Sequence, residues 1–356
     1  MSQGFKSYYE SNFFKSKPIY TLADCVTFGL RDAGVQEQED EEYLPELLEL
    51  ITERFREAVY LCDEEQLKFL NTVAELSRER MAWGSEEPPF SILIFHSNGF
   101  FYLFEDDGKD YIVLPDELGK IYREVVSGAD FAEINAKKQE LAFYAKGLIE
   151  LYGMYELEHF AVVWNQHHKD KISQEEAETF LSDLANFHSD YYFDDDYVAH
   201  DCLFEYDVHE LWEETDDLEY YMPTKSVIRE CVAKCQDADY KRPGQMEMEA
   251  FLAEHVYNHE ENQVFLEVLQ FYIVHSSERL EVSEEIRGTL EEAGAPLGDA
   301  AFVERFECLF NKLRENARIW ELRGFTIHQY EAQTGNKVEQ FRLPRADKKR
   351  KKKRKK

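Results

Sequence analysis

Long hydrophobic runs are missing from this 356-residue chain. Nowhere does it approach the ~18 consecutive apolar residues of a membrane span. Its first 30 residues lack the order of a signal peptide, so a cytoplasmic protein with no membrane partner is expected. Glycine is sparse and scattered. The 16 glycines build no Walker A loop, no G-x-G-x-x-G after a strand and no G-x-S-x-G elbow, and the protein-kinase motif set is also absent. The six cysteines, Cys25, Cys62, Cys202, Cys231, Cys235 and Cys308, are spread through the chain, which favours reduced thiols over a disulfide scaffold. No repeat with a period of 30–45 residues is evident. Collagen and coiled-coil-only classes are excluded by composition.

Acid and apolar residues are abundant. At 44% hydrophobic the chain can bury sizeable cores, and its length suits two or three domains. Charge is very uneven. There are 41 Lys and Arg against 73 Asp and Glu, a net −32. The twelve residues Arg345 to Lys356 hold ten of the bases and one acid; without them 31 bases face 72 acids, so the body is about −41 and the tail +9. Such a body repels nucleic acid over its general surface. The tail has nothing apolar after Ala346 and is expected to be disordered. Like-charge blocks are often interaction tails. It can bind RNA, DNA or ribosome through phosphates, fold back on the acidic body, or have no partner. In a eukaryote it would also read as a nuclear localisation signal.

Metal-binding patterns are weak. Cys231 and Cys235 share a helix face, but zinc pairs are usually tighter, C-x₂-C on a turn with a second pair elsewhere. Buried structural thiols are expected. His255 and His259 are one helical turn apart, yet Glu254 precedes the first and no third ligand is identifiable. His167 and His168 suit a helix C-terminus. The acidic stretch Asp194 to Asp217 lacks the alternation, the central glycine and the terminal glutamate of a calcium loop, and is expected to be a solvated loop. No cofactor and no metal site is expected.

The fold expected is mainly α, with two winged-helix-like modules carrying short antiparallel hairpins. Residues 1–42 form an aromatic and then acidic segment, with Tyr8, Tyr9, Phe13, Phe14 and Tyr20 packed on the body and a solvated loop over Gln36 to Glu42. Residues 43–128 form the first module. Its helices run from Tyr43 to Tyr60 and from Asp63 to Met81, with Asp63 and Gln66 as a capping box. A strand Phe90 to His96, an Asn98-Gly99 hairpin turn, a strand Phe100 to Glu105, a turn and a strand Tyr111 to Leu114 follow. Pro115 then opens a helix over Asp116 to Val126. Residues 129–220 form the second module: helices Phe131 to Tyr152, Tyr155 to His168 and Gln174 to Phe187, the last capped by Ser173 and Glu176, then a hairpin through Asp194 to Asp196. Residues 221–343 are all-helical and 344–356 are the tail.

Winged helices often bind DNA, and a transcription-linked regulator acting through the first module is one reading. A recognition helix needs bases and amides. The helix from Gln174 instead presents Glu175, Glu176, Glu178 and Asp183. Protein contact or purely structural use is therefore favoured.

Two stretches carry a resemblance. Phe101 to Leu118 ends Val113-Leu114-Pro115-Asp116-Glu117-Leu118, and Asn316 to Thr326 reads Asn-Ala-Arg-Ile-Trp-Glu-Leu-Arg-Gly-Phe-Thr. With the helices and hairpin of residues 155–199 they resemble an uncharacterised family of helical bacterial, mainly Firmicutes, proteins over residues 40–333. Many of its members look like carriers of a C-terminal SEC-C motif, the zinc-binding tail also seen on the SecA translocase motor. A bacterial source removes the nuclear reading. Here no cysteine or histidine follows Phe341, so a zinc tail is not carried over and the basic run stands in its place as a docking element.

Trp320 and Leu322 are expected to pack, Arg318 and Arg323 to pair with acids, Gly324 to end a helix and Thr326 to cap the next. The alternative is a protein-contact hot spot of Arg318, Trp320 and Arg323. The leading expectation for function is a non-enzymatic adaptor. Its acidic body contacts an unknown protein; Lys348, Lys349, Arg350, Lys351, Lys352, Lys353, Arg354, Lys355 and Lys356 neutralise the phosphates of RNA, DNA or a ribonucleoprotein. An enzyme using His255, His259 and nearby carboxylates is the third reading.

Overall fold

Apolar residues recurring every three or four positions bury one stripe of a helix. Most of the computed structural model is accordingly helical, with two small sheets. It describes residues 9–10, 21–32, 37–75, 81–83, 95–106, 109–187, 191–194, 196–203, 208, 211, 215, 217–236, 244–255, 266, 269, 272–274 and 280–344. The chain divides into two compact units, one of Met1–Phe143 with Glu178–Asp190 and one of Tyr144–Ala177 with Tyr191–Lys356. Residues 129–220, expected as a single module, thus contribute to both.

The first unit begins with β1 (Tyr9–Glu10), α1 (Leu22–Asp32) and α2 (Glu37–Leu61). Glu and Gln are good helix formers, and acids suit a helix N-terminus. The solvated loop expected at Gln36 to Glu42 is therefore helix from Glu37 onward. Next comes α3 (Glu64–Glu75), where the main-chain N–H of Asp63 donates to the Gln66 side chain at 2.9 Å and that of Gln66 to Asp63 at 2.8 Å, the expected capping box. The second helix was expected to reach Met81, but Met81 opens β2 (Met81–Trp83). Strands β3 (Tyr102–Asp106) and β4 (Lys109–Val113) complete a sheet of order β1-β3-β4-β2, in which only β1 is parallel to its neighbour. Then follow α4 (Asp116–Val126), after Pro115 as expected, and α5 (Phe131–Tyr152), which continues into the second unit.

The Asn98-Gly99 pair does not turn a hairpin. Phe95–Ser97 is helical, and Gly99 with φ +73° stops it. Gly99 N–H donates to the His96 carbonyl at 2.9 Å and Phe100 N–H to the Phe95 carbonyl at 2.9 Å, the paired bonds of a Schellman cap. The expected strand over Phe90 to His96 is thus corrected at its last two residues, while 90–94 lie outside the described part. This cap turns Phe100 inward against Phe55, Phe95 and Phe187, with ring centroids 5.1, 6.0 and 5.8 Å apart. Elsewhere in the unit, amides of α5 satisfy the orphan carbonyls that end α2. Asn135 Nδ2 donates to Tyr60 and Cys62 at 3.0 and 2.9 Å, and Gln139 donates to Leu61.

The second unit contains β5 (Met154–Glu156), α6 (Leu157–His167) and the start of α7 (Gln174–Ala185), which ends in the first unit. Ser173 and Glu176 cap α7 reciprocally, as expected. The hairpin β6 (Tyr191–Phe193) and β7 (Tyr197–His200) follows, and β5 joins it in the order β5-β7-β6. Residues 131–200 therefore run helix, strand, helix, helix, strand, strand, with the first strand paired to the last.

From Lys225 to Thr334 the described residues are helical and connecting. They form α8 (Lys225–Gln236), α9 (Gln245–His255), α10 (Leu280–Glu292), α11 (Ala300–Asn316), a 3₁₀ turn at Trp320–Leu322 and α12 (Ile327–Thr334). Leu266, Leu269 and Ile273 are helical and belong to the core of α9, α10 and α11. Along α11, Phe302, Phe306 and Phe310 stack at successive turns, and Phe341 covers Phe310 at 4.2 Å. Buried Glu307 accepts from Arg342 Nη1 at 2.7 Å and from the Leu343 N–H at 2.9 Å, holding the last described residues along the helix.

If Gly99 ends a helical turn, only Gly99 needs positive φ. Gly99→Ala, whose Cβ would sit 3.4 Å from Ile51, is expected to cost about 1–2 kcal/mol in urea unfolding. Asn98→Ala, which gives up the exposed bond from Nδ2 to the Asn186 carbonyl at 3.1 Å, is expected to cost about 0.5–1 kcal/mol, less than Gly99→Ala; a cost equal to that of Gly99→Ala would indicate the two-residue hairpin turn instead.

Candidate functional site

Chemistry-bearing side chains of the second unit converge around the turn after α11. Ala317 ends that helix, and Ile319 to Phe325 close on themselves. Gly324 N–H donates to the Ile319 carbonyl at 3.0 Å, and Ile319 N–H to the Phe325 carbonyl at 3.2 Å. Within this loop Arg323 adopts φ 44°, the only positive φ outside glycine among the described residues. That left-handed conformation costs a non-glycine residue roughly 1–2 kcal/mol.

Trp320 faces the start of β5. Gly153, with φ +72°, lies so close that an added Cβ would stand 2.2 Å from the indole ring. The indole N–H donates to the Glu150 carbonyl at 3.2 Å. Buried Arg323 points the other way along the loop. Its guanidinium meets Glu156 at 3.2 Å and lies 4.3 Å over the Tyr220 ring, while the Tyr220 hydroxyl donates to the other oxygen of Glu156. Arg318 lies over the Tyr221 ring at 4.0 Å and donates to the Gly324 carbonyl at 2.7 Å. The expected trio Arg318, Trp320 and Arg323 is brought together, with Trp320 and Arg323 buried and Arg318 half-buried. Thr326 caps α12 reciprocally with Gln329.

His159 stacks on Tyr220 at 3.9 Å and meets the Tyr152 hydroxyl at 3.1 Å. That hydroxyl donates to the Tyr221 carbonyl at 2.7 Å, so His159 Nε2 is the donor to it. Burial, reinforced by the Arg323 charge, pushes the His159 pKa down to about 4.

Beside Trp320 is His200, its ring 5.4 Å away. Residues His200 to Leu203 form a β-turn, closed by Leu203 N–H on the His200 carbonyl at 2.9 Å. His200 Nδ1 stands 2.8 Å from Asp201 Oδ1 and accepts from the Cys202 main-chain N–H at 3.2 Å; Nε2 is 3.7 Å from Glu150 Oε1. Burial alone would lower the His200 pKa, but the Cys202 side chain and the Glu150 carboxylate outweigh it and raise it to about 10. The locus attracts positive charge. One ligand atom from each of His200, Asp201 and Cys202 lies within 4.8 Å of the other two. These three lie inside the Asp194 to Asp217 stretch expected to be a solvated loop. A search for alternating acids passes over three consecutive residues of different type, and only the turn brings their side chains together.

Nearby, a cavity of about 40 Å³ is lined by Glu150, Cys231, Lys234, Val274, Ala317 and Arg318. That is far below the ~300–1,000 Å³ of small-molecule clefts. Burial raises the Cys231 thiol to about 11, which makes it inert. The Cys235 side chain lies outside the described part. His255 Nδ1–H donates to the Phe251 carbonyl at 2.8 Å and packs on Phe251 and Phe302; its expected partner His259 is not among the described residues. His168 closes α6 stacked on Trp164 at 3.8 Å, and His167 meets the Tyr144 hydroxyl at 3.1 Å. The tail residues Lys348 to Lys356 lie outside the described part. No protein-family model, curated protein or solved structure matches the chain.

The His159 pKa gives a pH dependence. Its folded value of about 4 is below the unfolded 6.5, so the unfolded chain binds more protons between them. Stability falls as pH drops from about 6.5 to 4, by on the order of 3 kcal/mol. Urea unfolding of the wild type and His159→Gln across this range should show the variant with the smaller acid loss; identical slopes would contradict it.

Proposed function

We propose that this chain is a non-enzymatic, cytoplasmic interaction protein whose acidic body contacts a protein partner and whose basic tail contacts nucleic acid or a ribonucleoprotein. The charge division carries this reading: about −41 on the body and +9 on Arg345 to Lys356. A tail of ten bases neutralises phosphates without reading sequence. The acids of α7 support protein contact for the body, since Glu175, Glu176 and Glu178 are solvent-exposed along the helix.

The order and pairing of elements over residues 131–200 match the connectivity of a winged helix and support that reading of the module. Its third helix, α7, carries acids where a DNA reader carries bases, so protein contact fits better than DNA readout. The absence of a family match leaves the resemblance to SEC-C-related proteins as a proposal of kinship without a transferable activity.

The test compares the full chain with a chain ending at Leu343 for RNA and duplex DNA binding at two salt concentrations. The full chain should bind and lose about 10³-fold in affinity between 50 and 200 mM salt, as a protein with six or more phosphate contacts does. The shortened chain should not bind. Equal binding by both, or binding that salt leaves unchanged, would overturn the role of the tail.

A further inference from the structure

We propose that the turn after β7 binds one divalent transition-metal ion of zinc character, through His200 Nδ1, Asp201 Oδ1 and Cys202 Sγ. The geometry supplies each part. One ligand atom from each of the three residues lies within 4.8 Å of the other two, on a turn fixed at both ends. His200 N–H donates to the Gly153 carbonyl at 2.8 Å, and Leu203 N–H closes the turn at 2.9 Å. One wall is the Trp320 ring, 5.4 Å from the imidazole.

His200 Nδ1 stands 2.8 Å from Asp201 Oδ1, a distance that a shared proton satisfies. A metal ion on the Nδ1 lone pair takes the place of that proton and of the 3.2 Å contact from the Cys202 main-chain N–H, and accepts the thiolate as well. Nε2 is left on the side of Glu150 Oε1, 3.7 Å away, beyond hydrogen-bond length.

The ligand set selects the ion. Thiolate and imidazole favour zinc-like ions over calcium or magnesium, which prefer all-oxygen shells. With metal–N and metal–O bonds of about 2.0 Å, a 2.8 Å gap subtends roughly a right angle. The Asp201 side chain is 55% exposed and free to swing outward toward tetrahedral spacing. Three protein ligands leave a fourth position for water.

The experiment titrates the full, reduced, metal-free chain with Co²⁺ and then displaces it with Zn²⁺. One equivalent of Co²⁺ should give a thiolate-to-cobalt charge-transfer absorption that Zn²⁺ abolishes. Cys202→Ser should lose the absorption; Cys308→Ser, which removes an exposed thiol elsewhere, should keep it. Asp201→Asn should weaken Zn²⁺ binding at least tenfold. Circular dichroism of each variant separates lost binding from lost fold, and Asp201→Asn, at an exposed position, keeps the test decisive if Cys202→Ser fails to fold. No thiolate absorption in the wild type, or the same absorption in Cys202→Ser, would overturn the site.

Discussion

The second unit depends on a single close approach, the indole of Trp320 laid on the backbone of Gly153. No side chain fits between them, because even a methyl group would stand 2.2 Å from the ring. The contact fixes the loop after α11 against the start of β5, two segments about 170 residues apart in sequence. Its consequences spread in both directions. On one side the loop holds Arg323 with φ 44°, and the guanidinium finds Glu156 and the Tyr220 ring. Arg323 thus meets its carboxylate and aromatic partners from a strained backbone position. On the other side His200 is set beside the indole, where Glu150, Asp201 and Cys202 surround it.

Local signals in the sequence were sufficient wherever one residue type decides a local geometry. The capping boxes at Asp63, Ser173 and Thr326, the proline before α4 and the hairpin β6–β7 all stand where their residues place them. Misreadings arose where one signal serves two structures. Asn98-Gly99 suits both a hairpin turn and a helix stop; the flanking aromatic residues resolve it only after Phe100 has met Phe55 and Phe187. Three-residue strands such as β5 carry too few positions for alternation to register. The acids before Tyr43 read as loop by charge, although glutamate propagates a helix well.

The candidate site was only half legible for a related reason. Trp320, Arg318 and Arg323 stood out by type, and the choice between packing and contact was left to burial. Trp320 and Arg323 are buried and support the fold, and half-buried Arg318 packs on the Tyr221 ring. The His200–Cys202 turn went unread because its three ligand types are adjacent in sequence, and adjacency on a strand or helix would point them apart. Only a turn directs them to one point.

A double-mutant cycle on Gly153→Ala and Trp320→Ala tests the central contact most directly. Alone, Gly153→Ala should cost the positive-φ penalty of about 1–2 kcal/mol and a further ~1–3 kcal/mol of overpacking against the indole. With the indole already removed, only the first part should remain, giving a coupling energy of about 1–3 kcal/mol in urea unfolding. Additive costs, with Gly153→Ala equally damaging whether or not Trp320 is present, would contradict the account.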